Sequence, residues 1–189
     1  MRLPTFLASL LAGLSVAASA VAGFDNVDLT GATCCNQLSL ADPGGNRRTL
    51  GDFKGKVVVL AFGFTQCPDV CPTTLQNLAQ TVTLLGKNGR DVQVLFVTLD
   101  PNRDTNEVLS KYVPSFNPSF IALRGTPDET AKVAREFRVT FEKVTGSTPN
   151  SYTIDHTVGV FVLDKKGRAR VYARSAEPKV LAPDIRRLL

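Results

Sequence analysis

The residues Val57-Val58-Val59-Leu60-Ala61-Phe62-Gly63-Phe64 run without a polar interruption. A short run rich in β-branched and aromatic side chains reads as a strand buried on both faces. Such a strand needs cover above and below, which calls for helices on both sides of a sheet. It passes directly into Thr65-Gln66-Cys67-Pro68-Asp69-Val70-Cys71-Pro72. Beyond that, Leu75, Leu78, Val82 and Leu85 fall at three- and four-residue steps, the stripe of an amphipathic helix over 73–87. Pro72 suits the first helical position, where its missing N–H would have no partner anyway.

The alternation continues downstream. Residues 92–99 read as a second buried strand, and Asp104-Thr105-Asn106-Glu107 as the cap of a helix reaching about Val113. Residues 120–123 form a short strand. Thr126-Pro127-Asp128-Glu129 then combines a cap, a first-turn Pro and a Glu three residues after the Thr, opening a helix over 127–137. Residues 158–163 and 169–173 flank Asp164-Lys165-Lys166-Gly167, a hairpin signal. A last helix begins at about Pro178. A short strand pair, 37–40 with 49–50, precedes the first buried strand. The expected fold is therefore α/β, with a central mixed sheet flanked by helices and a short N-terminal strand pair.

The ends and the composition limit function. Arg2 is followed by a charge-free apolar run over 6–22 that ends in Ala18-Ser19-Ala20 and Ala20-Val21-Ala22. This is the layout of a secretory signal peptide over 1–22; the competing reading is an uncleaved anchor. Residues 23–36 form a polar lead-in and 37–189 the domain. The net charge of +5 comes from dispersed Lys and Arg with no basic arm and no interleaved aromatics, which argues against nucleic acid. A solvated basic surface is the simplest reading, and attraction to anionic lipid heads or an acidic partner the weaker one. With one His, His156, and one Met, Met1, a site built on several imidazoles or thioethers is excluded.

Four cysteines remain, and they form two sets. Cys34 and Cys35 are adjacent in the lead-in, whereas Cys67 and Cys71 sit between strand and helix, a thioredoxin-like arrangement. A helix N-terminus offers free N–H donors and the positive dipole end, which favour thiolate. Thiolate attacks disulfides and also binds soft metals. The spacing is C-x-x-x-C, not the C-x-x-C of ordinary redox proteins, and residues four apart share one helical face. The plain alternative is a stabilising disulfide, but so short a loop yields little entropy. Two thiolates with His156 make a soft S₂N set suited to copper, Cu(I) in particular; zinc with an outside ligand stays open on donor type.

The segments Gly55-Lys56, Phe62-Gly63-Phe64-Thr65, Cys67-Pro68-Asp69-Val70-Cys71-Pro72, Asp100-Pro101 with Arg103-Asp104-Thr105, and Asp155-His156-Thr157 together resemble the Sco/SenC family over 38–174. The resemblance implies a thioredoxin-like fold and one copper per chain, as Cu(I) or Cu(II), held by Cys67, Cys71 and His156. It implies delivery of that copper to the binuclear centre of cytochrome c oxidase subunit II. It also implies a second activity, thiol-disulfide reduction through the Cys67–Cys71 redox pair, with other copper chaperones or a thioredoxin-like reductant as further partners. The compartment expected is the bacterial periplasm, with attachment to the inner membrane as the alternative to a cleaved signal. Position 66 is Gln where many members carry His, which removes an accessory donor, and Cys34-Cys35 lies outside the family pattern. For Asp100, Arg103 and Asp104 a structural account is favoured: strand end, Pro turn, cap, and an Arg–Asp pair holding the loop. Asp69 suits a helix start, and Asp155 either orients His156 or is simply exposed.

Overall fold

Every residue from Val57 to Gly63 is buried, and alternate side chains serve two separate cores. Val58, Leu60 and Phe62 join one cluster, and Val57, Val59 and Ala61 join the other. A strand with apolar residues on both faces can only be satisfied this way. The computed structural model describes residues 23–148 and 151–189; the expected leader, 1–22, lies outside them.

In chain order the elements are β1 (Val27–Asp28), β2 (Ser39–Ala41), β3 (Arg47–Thr49), β4 (Val57–Gly63), α1 (Val70–Leu84), β5 (Val92–Thr98) and α2 (Asn106–Phe116). They continue with β6 (Ile121–Leu123), α3 (Pro127–Glu136), β7 (Phe141–Thr145), β8 (Tyr152–His156), β9 (Val160–Leu163), β10 (Ala169–Ala173) and α4 (Pro178–Arg186). Six strands form one sheet in the order β1-β10-β9-β4-β5-β6. Within it β4, β5 and β6 run parallel, while β9 is antiparallel to β4 and β10 to β9. The mixed α/β sheet flanked by helices is the expected fold, and the short pair β2–β3 is antiparallel as expected.

Leu75 and Leu78 of α1, Leu109 and Val113 of α2, and Leu181 and Ile185 of α4 pack on one sheet face. The other face meets α3 through Val133 and Phe137, together with Leu40, Leu50 and Phe53. There the Phe137 ring lies 5.7 Å from Phe62 and 5.3 Å from Phe161, a tilted and edge-on cluster of the kind aromatic quadrupoles favour. The Thr126 box forms as expected: Glu129 N donates to Thr126 Oγ1 at 3.2 Å, and Thr126 N to Glu129 Oε2 at 2.8 Å.

Three expectations change. The first helix begins at Val70, not 73, so Cys71 lies inside its first turn and Pro72 is its third residue; no acceptor awaits a first-turn N–H, so Pro costs nothing there either. Residues 152–156, to which the sequence reading assigns no element, form β8, paired with β7 in a ribbon outside the main sheet, Phe141 opposite His156. Only Ile154 of β8 is buried and four of the five residues of β7 are exposed, so the pair carries almost no apolar alternation to read. Finally, the lead-in over 23–36 supplies the edge strand β1, pinned where Asp25 and Asn26 amides donate to the buried carboxylate of Asp184.

Candidate metal centre

The site is built where β4 ends. The strand closes with Gly63, and a Cβ there would stand 2.8 Å from Cys71 Sγ and 2.9 Å from the Phe96 ring. Glycine is what allows the sulfur to lie against the strand. A turn follows, with Cys67 N donating to Phe64 O at 3.3 Å, and α1 starts three residues beyond, at Val70. Within its first turn the Cys71 amide donates to Cys67 Sγ at 3.3 Å, so a helix-terminal N–H with no backbone acceptor is spent on the first sulfur. Cys67 is half-buried and Cys71 is buried.

His156 arrives from the end of β8. Its Nε2 is 3.8 Å from Cys71 Sγ, and its Nδ1 is 2.9 Å from the carbonyl of Thr157. A carbonyl only accepts, so Nδ1 carries a proton, and in the neutral tautomer this leaves the Nε2 lone pair facing the sulfur. The ring stands edge-on to Phe64, centroids 6.1 Å apart, and lines an outward-opening cavity of about 490 Å³. Asp155 is exposed, and the imidazole is oriented by the Thr157 carbonyl in its place. Asp69 is the N-cap residue without a side-chain cap bond.

The dipole argument for thiolate does not carry Cys71. Burial pushes its thiol well above the ordinary cysteine value, and the neighbouring Cys67 adds to the rise. Desolvation outweighs the helix end here. Tyr112, on α2, is pushed up to about 12 by burial and then by Cys71 and Cys67. Its buried hydroxyl has no hydrogen-bond partner. Sequence reasoning did not single it out; it reads there only as one aromatic on an apolar helix face.

The Asp100–Asp104 segment does more than hold its own loop. Asp104, fully buried, accepts from Thr65 N at 3.1 Å, Thr65 Oγ1 at 2.6 Å and Thr98 Oγ1 at 2.5 Å. It ties the start of the cysteine loop to the end of β5. Arg103 pairs with buried Asp100, donates to Tyr152 O at 2.8 Å and stacks 3.6 Å from the centroid of the Tyr152 ring. Tyr152 OH donates to Asp100 Oδ1 at 2.9 Å. Tyr152 opens the strand that His156 closes, so one polar network spans both the cysteine loop and the histidine ribbon. The favoured structural account of these residues holds, and its object is the site. Thr105, not Asp104, caps α2.

A family model described as SCO1/SenC matches residues 28–189. The chain belongs to the SCO1/SenC family. Among its SCO1/SenC relatives is the bovine mitochondrial SCO2 homolog, 39% identical over 145 residues, which are 74% of this chain and 54% of that protein. The chain thus spans about half the length of that relative. Two solved SCO1/SenC structures superpose closely. One is Bradyrhizobium japonicum ScoI with copper bound, with a TM-score of 0.75 at 35% identity, covering 83% of this chain and all of that one. The other is apo Sco1 from Thermus thermophilus, with a TM-score of 0.79 at 37% identity, covering 90% and 99%. With these the fold is thioredoxin-like, as expected.

Proposed function

We propose that this protein is an exported copper metallochaperone that holds one copper on Cys67, Cys71 and His156 and passes it to the binuclear copper centre of cytochrome c oxidase subunit II. The observation that carries the reading is the lone pair of His156 Nε2 facing Cys71 Sγ at 3.8 Å. Sulfur and imidazole donors at about 2.3 and 2.0–2.1 Å from one shared ion of trigonal or tetrahedral geometry stand about 3.6–3.8 Å apart. The donor set is soft, which suits copper and Cu(I) above all. The half-buried Cys67 leaves the copper an open side, where an incoming ligand binds before the old ones leave. Loading strips the proton from the Cys71 thiol, so the reduced protein is the acceptor and a Cys67–Cys71 disulfide is not. Membership of a family that includes copper-bound ScoI supports copper as the cargo. Export follows from the leader-like sequence of 1–22, with the periplasm as the compartment and the inner membrane as the attachment site if the leader stays; other copper chaperones and a thioredoxin-like reductant are the natural suppliers. Among the described residues no helix is long and apolar enough to cross a membrane.

A second reading, thiol-disulfide reduction of a partner's cysteines, is favoured by one observation: an accessible Cys67 with a buried Cys71 behind it is the layout of an attacking and a resolving thiol. His156→Ala separates the two. The variant is expected to keep exchange with a small disulfide while losing Cu(II) more than Cu(I), and to lower oxidase copper-centre assembly in cells. Cys67→Ser and Cys71→Ser are expected to lose copper outright. Normal oxidase assembly in the His156→Ala strain, with loss only in the cysteine variants, would make the dithiol chemistry the function.

A further inference from the structure

A second cysteine pair lies outside the copper reading. Cys34 Sγ and Cys35 Sγ, both free thiols, stand 2.6 Å apart, about half an ångström beyond the roughly 2.05 Å of a bond. Cys35 has φ +68°, a left-handed conformation that costs a side-chain-bearing residue on the order of 1–3 kcal/mol and persists only when its surroundings hold it. Here they do. Cys35 N donates to Glu136 O at 3.2 Å and Asn36 N to Glu136 Oε1 at 3.1 Å, and the Cys35 side chain is buried while Cys34 is half-buried. The next residue, Asn36, lines a cavity of about 800 Å³ whose walls set Arg47, Lys132, Arg135 and Arg138 against Glu129 and Glu136. The excess of cations there favours carboxylate-bearing ligands.

We infer that Cys34 and Cys35 form a second redox site, separate from Cys67 and Cys71, that closes into a vicinal disulfide by exchange with small carboxylate-bearing disulfides. The more accessible Cys34 Sγ, as thiolate, attacks one sulfur of the small disulfide; that S–S bond breaks, a mixed disulfide forms on Cys34, and the first thiol leaves with a proton. Cys35 Sγ then gives its proton to solvent and attacks Cys34 Sγ, releasing the second thiol. The two cysteines together lose two electrons and the small disulfide gains them. Burial holds the Cys35 thiol protonated, so ring closure is the slow step. A trans peptide keeps adjacent Cα atoms about 3.8 Å apart, short of the usual span of about 4.4–6.8 Å across a disulfide. The closed ring is therefore strained and is reduced more readily than an ordinary structural bridge.

The test is a glutathione redox series on the purified protein, with thiols trapped by acid and alkylation and tryptic peptides weighed. The peptide ending at Arg47 holds Cys34 and Cys35 and no other cysteine, and the peptide over 57–87 holds Cys67 and Cys71, so the two pairs report separately. The Arg47 peptide is expected to lose two hydrogens reversibly, at a more oxidising glutathione ratio than the other peptide. Cys34→Ser should abolish the reaction and Cys35→Ser should trap a glutathione adduct on Cys34. At low salt, oxidised glutathione should react at least about tenfold faster than the dication cystamine. A peptide that stays a dithiol across the series, or that stops at the adduct in the unmodified protein, overturns the site; equal rates for the two reagents overturn the substrate class.

Discussion

Replacing Arg103 by Ala touches no proposed copper donor, yet it should loosen the histidine. The substitution removes the ion pair to Asp100, which is 1% exposed, the bond to Tyr152 O and the stacking on the Tyr152 ring. Breaking a buried pair by removing one partner costs about 3–5 kcal/mol. Because the Arg103 side chain is 21% exposed, the lower end, about 3 kcal/mol, applies. The bond to Tyr152 O and the stacking join the loop after β5 to the β7–β8 ribbon, and the Asp100 carboxylate left without Arg103 is itself bonded to Tyr152 OH, so the loss falls on ribbon opening and less on the sheet. At 1.36 kcal/mol per factor of ten, about 3 kcal/mol is roughly 150-fold. Amide hydrogen exchange of residues 141–145 and 152–156 should speed up by about two orders of magnitude, while β4 and β5 change far less. Copper retention should fall with it, since His156 is in place a smaller fraction of the time. Ribbon protection within about threefold of wild type would refute the reasoning.

Gly63→Ala pushes a methyl into Cys71 Sγ and the Phe96 ring; it should cost about 1–3 kcal/mol in urea denaturation and reduce copper stoichiometry. Asp104→Asn sets an amide group among three donors and should cost about 2–4 kcal/mol, read as a lowered melting temperature. Asp164 is buried, which alone would raise it, but bonds from the Arg168 side chain and the Arg168 and Lys166 amides hold its carboxyl below the usual range. A depressed folded value gives stability that is full above the unfolded pKa of about 3.9 and lost as pH falls through the folded one. Asp164→Asn should therefore lose about 1–2 kcal/mol at pH 7 and show a flatter acid limb in denaturation measured between about pH 5 and 2.

The sheet and its helices were legible because their residues obey a period. The buried runs of β4 and β5, the Thr126 capping box and the Asp164–Gly167 turn each carry a local signal. The cysteine pair was legible for the same reason, as a fixed spacing at a strand–helix junction. What escaped was decided by contacts distant in sequence. β8 has one buried residue and is held by Arg103, 49 positions before Tyr152, which no window of neighbouring residues displays. The raised Cys71 thiol escaped likewise: helix position is written in the sequence, but the depth to which packing sinks the sulfur is not. β1 is two exposed residues that pair only because β10 presents an edge.

The proposed third donor, His156, rides on an appendage. Cys67 and Cys71 lie on the turn and the first helical turn that directly follow β4, so moving them means disturbing the sheet, whereas His156 sits on a two-stranded ribbon bonded to the main sheet by none of the strand pairings of the described residues. Divergence can lengthen, re-aim or discard that ribbon without dismantling the scaffold. The same frame can then become a plain dithiol protein by losing one hairpin, or a metal carrier by gaining one. Grafting a β7–β8 ribbon with its Arg103 anchor onto a histidine-free member of the fold is a direct way to retrace that step.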